Sequence, residues 1–518
     1  MRRYSIVAIL LFGLIVPMTN QSCTNLDEEL FSELTEQNFP QTEEEFVSAL
    51  GAAYTSLYAL CNHNSMNSLQ EISSDEAMIP QRGADWFDGG QWLRVHRHEM
   101  NANEESVNGG WNFCYGGISN CNRLVELFEG LVEEGKVDAN DAAAFIGELK
   151  TLRALFYYWL VDIYGNVPIV TEFANAPSQP ETRTRADVYA FIESELEANV
   201  PNLTRDKTGE TYARFNYWAG KALQAKVYLN AEVWSGTAKY AQAQAAADEI
   251  INSGLYSLEN NYFDNFSTNN SGSNENIFVV PYDQVFATGF NLPQMTLHYG
   301  SQFTFDLQSQ PWNGYCSLQE FYNSYDADDE RRDGPEGRGY GNFITGPQTD
   351  LSGNPIEDPS AEANDPDGPQ LTFTPEINEH FPNALRQAGA RIGKYEFAIG
   401  ATPNLDNDYP VFRYADMLLI KAEALLRSGS SAEALALVNQ VRARAGAADL
   451  AAIDEAELLA ERGREMFFEG HRRQDLIRFG AFGDEWDFKP TSGAEKQLMP
   501  IPANQLNANP NLTQNPGY

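Results

Sequence analysis

Residues 217–251 read YWAGKALQAKVYLNAEVWSGTAKYAQAQAAADEII. Trp218, Ala222, Ala225 and Leu229 fall on one face at helical spacing. After Gly236 and a polar break, Tyr240, Ala243, Ala247 and Ile250 mark a second helix. Large side chains alternating with alanine let two antiparallel helices approach closely. A second pair of this kind starts at Tyr414, runs through Met417, Leu418, Ala422 and Leu425, passes Gly429, and continues through Ala434, Leu435, Val438 and Val441. Two such pairs, far apart in the chain, imply a helical frame with something inserted between them.

Segments 43–60, 116–130, 141–164 and 186–198 also carry apolar residues at helical spacing, as in Leu149, Leu152, Leu155, Phe156 and Trp159. A helical pair of the length seen at 217–251 is the tetratricopeptide-type pattern. The expected fold is therefore mostly α, a tetratricopeptide-like scaffold of helical pairs with long irregular loops and minor β structure. The stretch 255–410 changes character: it is dense in Asn, Ser, Gly, Pro and Asp, holds the strand-like run Ile277-Phe278-Val279-Val280, and scatters aromatic residues such as Phe290, Tyr299, Trp312 and Tyr315 through loops. Loops this long in a compact protein are usually functional. A similar stretch, SDEAMIPQRGADWFDGGQW, occupies 74–92 and shows no helical period.

The chemistry of that segment suits a sugar. A pyranose offers a flat patch of C–H bonds on its face and hydroxyls at its edge, so it needs an aromatic platform with charged or amide groups at the rim. Asp75, Arg82, Trp86, Asp88 and Trp92 supply that mixture within one short run.

At 518 residues with 42% hydrophobic and 12% aromatic content, the chain buries a large core. Its formal net charge of −38 repels nucleic acid and anionic lipid and favours a neutral ligand. Arg2 and Arg3, an apolar run from Ile6 to Val16, Pro17 and then Ser22-Cys23 have the layout of a secretory signal, too short to span a bilayer. This gives a signal peptide over 1–22 and Cys23 as the acylated first residue of a lipoprotein, although Asn20 stands where an aliphatic residue is usual. The mature chain divides into halves 23–254 and 255–518.

Motifs for catalysis and metals are thin. Cys61, Cys114, Cys121 and Cys316 form no zinc-like pair and read as buried free thiols. His96 and His98 fall on one side of an expected extended strand without further ligands, and read as a packed or solvent-facing pair. Lys394 follows glycines but fails the phosphate-loop spacing. The acidic run 326–330 lacks the EF-hand order, so no cofactor is expected and a structural calcium stays unassigned. Glu461, Glu465 and Glu469 recur every four residues among arginines, with Gly470 suited to ending their helix, and read as an ion network rather than a catalytic carboxylate pair.

Several segments together carry a family resemblance. ERGREMFFEGHRRQDLIRFG at 461–480, YPVFRYADMLLIKAEA at 409–424, VNQVR at 438–442 and the tail from Pro500-Ile501-Pro502 to Asn515-Pro516-Gly517-Tyr518 resemble the signature of SusD/RagB proteins, in the family's order. The acidic residues behind Cys23 resemble the surface-export signal of lipoproteins in the Bacteroidota. The resemblance implies a loop-built ligand face, with Tyr299, Trp312 and Tyr315 as its second wall. It also implies an outer-membrane lipoprotein, not an enzyme, that delivers a glycan to a SusC-like TonB-dependent transporter. A RagB-like peptide binder and, further off, a surface glycoside hydrolase are the alternatives.

Overall fold

A computed structural model describes residues 43–358 and 370–518. The signal segment and the Cys23 lipidation position lie outside the described residues. The architecture is mostly α. Helices Glu105–Glu133 and Ala139–Ile163 form a long antiparallel pair, and Arg185–Asn199 packs on the second of them. Tyr217–Leu229 packs against Tyr240–Ser253, which packs in turn against Tyr414–Arg427, itself paired with Ser431–Arg444. The two helical pairs legible in the sequence thus stack directly on one another, and the insert leaves between them.

The helix expected at 116–130 runs from Glu105 to Glu133. Its first turns were hidden by Gly109, Gly110, Gly116 and Gly117, which blur the apolar period. Close packing explains two of them. A Cβ on Gly109 would lie 1.9 Å from the Asn64 carbonyl oxygen, and one on Gly117 would lie 2.1 Å from the Phe156 ring. The helix expected over 43–60 is α only over Glu43–Tyr54 and tightens to a 3-10 turn over Thr55–Ala59.

Strands serve as clasps. Asn276–Val280 pairs antiparallel with Tyr409–Arg413, which closes the insert near its two ends. Ala77–Met78 pairs with Cys316–Ser317 and ties the early loop to the insert.

Where the helical frame meets the insert, charge is buried in quantity. Arg331 reaches Glu461 at 2.7 Å, Glu465 at 3.0 Å and Asp329 at 2.7 Å, all without solvent exposure. Arg413 joins Glu465 at 3.1 Å and Glu469 at 2.7 Å, and also contacts Glu275. Arg444 bridges Glu275 and Glu465. A second cluster links Arg462 to Asp416 and Asp475, and Arg478 to Asp475 and Glu423. The three glutamates are thus the ion network expected of them, although Glu469 is not on the helix. That helix stops at Met466, where Phe467 turns out at φ −45° and ψ 128° and Phe468 takes φ +55°, so both rings are buried. Gly470, expected to cap it, sits beyond this turn at φ +73°.

Other expectations are corrected or located. His96 ends the helix Gln91–His96 and His98 has φ +58°, so the pair is not on an extended strand. Both rings are buried, His96 against the Asp487 carbonyl and His98 between Ser492 and the Ser73 carbonyl. Asp326 and Asp329 of the acidic run are taken up by Arg442 and Arg331, and Lys394 is buried on Glu469. The four cysteines are buried free thiols.

Burial alone would raise the Glu465 carboxyl, but the guanidiniums of Arg444, Arg413 and Arg331 outweigh it and hold the group down at about 2. A carboxylate with a depressed native pKa contributes stability at pH values above its unfolded value, about 4.3, and that contribution is lost as pH falls toward the native value. Unfolding free energy measured in urea therefore falls steeply between about pH 4.5 and pH 2. At neutral pH, Arg413→Ala costs about 3–5 kcal/mol because it strands buried carboxylates, whereas Lys136→Ala, which breaks the exposed pair with Glu134, changes stability by less than about 1 kcal/mol.

Candidate functional site

The ladder of Ala77 opposite Ser317 and Met78 opposite Cys316 lays residues 79–90 against residues 299–315. Arg82 then fixes the two segments together from inside. Its Nη1 donates to the carbonyls of Asn313 at 2.8 Å and Gly314 at 3.0 Å, its Nη2 to that of Ala388 at 2.7 Å and its Nε to that of Leu385 at 3.1 Å. A planar guanidinium satisfies such divergent acceptors at once. The backbone on both sides is held in unusual conformations: Trp86, Asp88 and Asn313 have φ of +56°, +41° and +55°. Left-handed backbone at non-glycine residues costs free energy and persists only where the surroundings enforce it.

The result is an open depression of about 450 Å³ lined by His63, Asp85, Trp86, Asp88, Tyr299 and Trp312, with Gln310 and Pro311 beside them. The Trp86 and Trp312 rings lie 6.2 Å apart at 53° to each other. His63 stands edge-on to both, 6.1 Å from one and 6.0 Å from the other. Trp86 donates its Nε1 hydrogen to the Trp312 carbonyl at 2.8 Å, which spends its polar handle on the site's own structure. Trp312 keeps 40% of its surface exposed. A Cβ on Gly314 would come within 2.3 Å of the Trp86 indole, so glycine there is what lets the ring settle.

The rim is polar. Tyr299 donates its hydroxyl hydrogen to Asp85, and Asp88 accepts from Trp92 Nε1 at 2.8 Å. Burial pushes the Asp85 carboxyl above its ordinary range against the pull of Arg386 and Arg82. Burial also lowers the His63 imidazole, against Asp88 and Glu105, so its ring is neutral at neutral pH.

Of the eight residues selected from sequence, the structure brings Trp86, Asp88, Tyr299 and Trp312 to this surface. Arg82, Trp92 and Tyr315 are buried behind it, at 4%, 1% and 1% exposure. Tyr315 packs edge-on to Trp86 at 5.5 Å and shares a 2.7 Å hydrogen bond with Ser68. Asp75 is placed elsewhere, paired through both oxygens with Arg472 at 2.6 and 2.7 Å. Sequence reasoning missed His63 and Asp85. The polar break Asn62-His63-Asn64-Ser65 after the first helix was the signal for one, and adjacency to Trp86 the signal for the other.

Residues 389–518 match the model of the SusD family, and residues 26–229 match that of a family described as starch-binding, associating with the outer membrane. Between them the two matches take in more than half of the chain. The starch-binding protein SusD of Bacteroides thetaiotaomicron is 28% identical over 426 residues, 74% of each chain. A SusD superfamily structure from Parabacteroides distasonis aligns with a TM-score of 0.74 at 22% identity, covering 94% of this chain and 100% of that one. Surface glycan-binding protein A of Bacteroides thetaiotaomicron, in complex with laminarihexaose, aligns at 0.72 and 23% identity, covering 91% and 99%. The fold is that of the SusD superfamily, and the chain belongs to the SusD/RagB family.

Wall and support residues separate by stability. Trp92→Ala removes a buried indole and lowers unfolding free energy by about 3–5 kcal/mol. Trp312→Ala, at the open surface, changes it by less than about 1 kcal/mol. Chemical denaturation of the two variants checks both.

Proposed function

We propose that this protein is a cell-surface, glycan-binding lipoprotein that has no catalytic step. In this reading a lipid on Cys23 anchors it to the outer membrane, facing the exterior. It captures an oligo- or polysaccharide in the aromatic depression and delivers it to a partner SusC-like TonB-dependent transporter, with the ligand trapped between the two chains.

The observation that carries this reading is the pair of indoles set at 53° around His63. Two ring faces at that angle fit a bent or curved run of sugars better than a flat plate. The neutral imidazole between them presents a nitrogen for a hydroxyl without adding charge. Asp85, Asp88 and Tyr299 set hydroxyl-binding groups at the edge, and the openness of the depression admits a chain that continues past either end. The names of the relatives, a starch-binding protein and a laminarihexaose-bound glycan-binding protein, support the same ligand class.

A binding role also suits the acids. Glu461, Glu465 and Glu469 are buried on arginines and cannot face a sugar. At the depression, Asp85 and Asp88 each hold a protein donor. Anchoring through lipid is compatible with the helices, since among the described residues none is long and apolar enough to cross a membrane.

A glycan array followed by calorimetry tests the proposal. The expected result is binding to a neutral glucan or related polysaccharide, weakened about 30-fold or more in Trp312→Ala, the loss of a hot-spot aromatic of about 2 kcal/mol. No new reducing ends appear on prolonged incubation. Turnover of the polysaccharide, or binding to peptides and to no glycan, refutes it.

A further inference from the structure

Two glutamates converge on one turn behind the aromatic depression. Glu71, on the helix Met66–Ile72, accepts the Gly470 N–H at 2.6 Å, and Glu76, just before the strand Ala77–Met78, accepts the Phe468 N–H at 3.0 Å. Both side chains are buried, at 1% and 0% exposure. Among the described residues, no N–H or hydroxyl reaches the second oxygen of either one. The two carboxyls instead hydrogen-bond each other. Ionised carboxylates only accept, so that contact needs a proton between them.

The charges nearby do not take the proton's place. Lys394 and Glu469 face Glu71, but Lys394 is bound to Glu469. Arg472 faces Glu76, and both oxygens of Asp75 hold its guanidinium. Burial raises both glutamates, Glu76 well above the ordinary carboxylate range, where repulsion from Glu71 adds to it. Burial also pushes up the Cys61 thiol and the phenols of Tyr315, Tyr325, Tyr395 and Tyr409 around the pair, so these stay neutral.

The turn that the pair holds is strained, with Phe468 at φ +55°, and such backbone persists only where its surroundings enforce it. Its contacts lead to the depression. The Phe468 ring stands edge-on to Tyr315 at 6.3 Å, and Tyr315 edge-on to Trp86 at 5.5 Å. Ser68, on the helix of Glu71, shares the hydrogen bond with Tyr315, and Ser317 Oγ donates to the Glu76 carbonyl at 2.9 Å.

We propose that Glu71 and Glu76 share one proton at neutral pH and form a pH-sensitive latch, which fastens the early loop to the turn at 467–470 and so holds the Trp86 wall in place. Loss of the proton sets two like charges side by side in the interior; one carboxylate swings out, and Phe468 or Gly470 loses its acceptor. The native pair keeps a proton that the unfolded chain releases above about 4.3, so its contribution to stability falls as pH rises from there until the native pair releases it too. The latch acts on the wall itself and is independent of what the depression binds.

Denaturation of the parent, Glu71→Gln and Glu76→Gln between about pH 5 and pH 9 tests the proposal. A glutamine keeps the acceptor and supplies the bridging hydrogen at every pH. Relative to either variant, the native-to-unfolded ratio of the parent is expected to fall about tenfold per pH unit, the linkage of one proton, and to level off where the latch opens. Lys394, which burial lowers to about 8, titrates in all three proteins, so the comparison removes it. Hydrogen exchange, corrected for its intrinsic pH dependence, is expected to quicken in segments 76–92 and 466–471 of the parent as pH rises and to stay level in the variants. If neither variant folds, the infrared spectrum of the parent at about pH 8 decides: Asp408, raised by burial to about 6, is ionised there, and a protonated-carboxyl band is expected to remain. The proposal is overturned by parallel pH curves for all three proteins, by absence of that band, by exchange in 76–92 that ignores pH while stability follows it, or by calcium stabilising the parent and not the variants, which would put a cation where the proton is proposed.

Discussion

Buried guanidinium–carboxylate contacts at the junction of the carboxy-terminal helices and the insert are the interaction on which the remaining structure depends. Arg331, Arg413 and Arg444 converge on Glu465 from three separate elements: the insert, the end of the strand Tyr409–Arg413, and the helix Ser431–Arg444. Taking so many charges out of water is expensive, and such a lattice is tolerated only when nearly every donor finds its acceptor. Apolar packing alone would let the insert slide over the helices. A lattice of directional contacts admits one arrangement, and that arrangement places the strand Asn276–Val280 and everything that follows it.

From this junction the site is built outward in stages. The strand pair at the base of the insert fixes where the insert leaves the frame. The two-residue ladder at Ala77–Met78 fixes how the early loop meets it. Arg82 sets the depth of that meeting, and Gly314 lets the Trp86 ring lie flush. Only at the last stage do exposed aromatic surfaces appear. Each stage trades conformational freedom for position, which is how a surface made of irregular loops acquires defined ring angles.

Much of the frame was legible in the sequence because helical periodicity is a local property. The pairs at 217–251 and 414–441 could be read from apolar spacing alone, and the strand at 277–280 from its branched and aromatic run. The helix starting at Glu105 was half hidden because two of its glycines are dictated by Asn64 and Phe156, residues remote in sequence. The site was legible only as a composition. Tryptophan, arginine and aspartate in one loop marked a segment that lines the depression, but whether an indole faces solvent or core depends on which partner strand arrives, and that is a tertiary fact. Trp86 and Trp92 are six positions apart and chemically alike, yet one forms a wall and the other a foundation. Asp75 went to Arg472, a partner 397 residues away that no local pattern reveals. The ion network was foreseen from charge spacing, while the reach of Glu469 after the helix had ended was not.

The hydrogen bond from Trp86 to the Trp312 carbonyl joins residues 226 positions apart. The depression is thus complete only when both of these distant stretches are in place. The first half of the chain holds Trp86 and His63, and the opposite indole, Trp312, comes from the second. Both walls are present together only once stretches from either side of the middle of the chain have met, so the depression is a product of the whole tertiary fold.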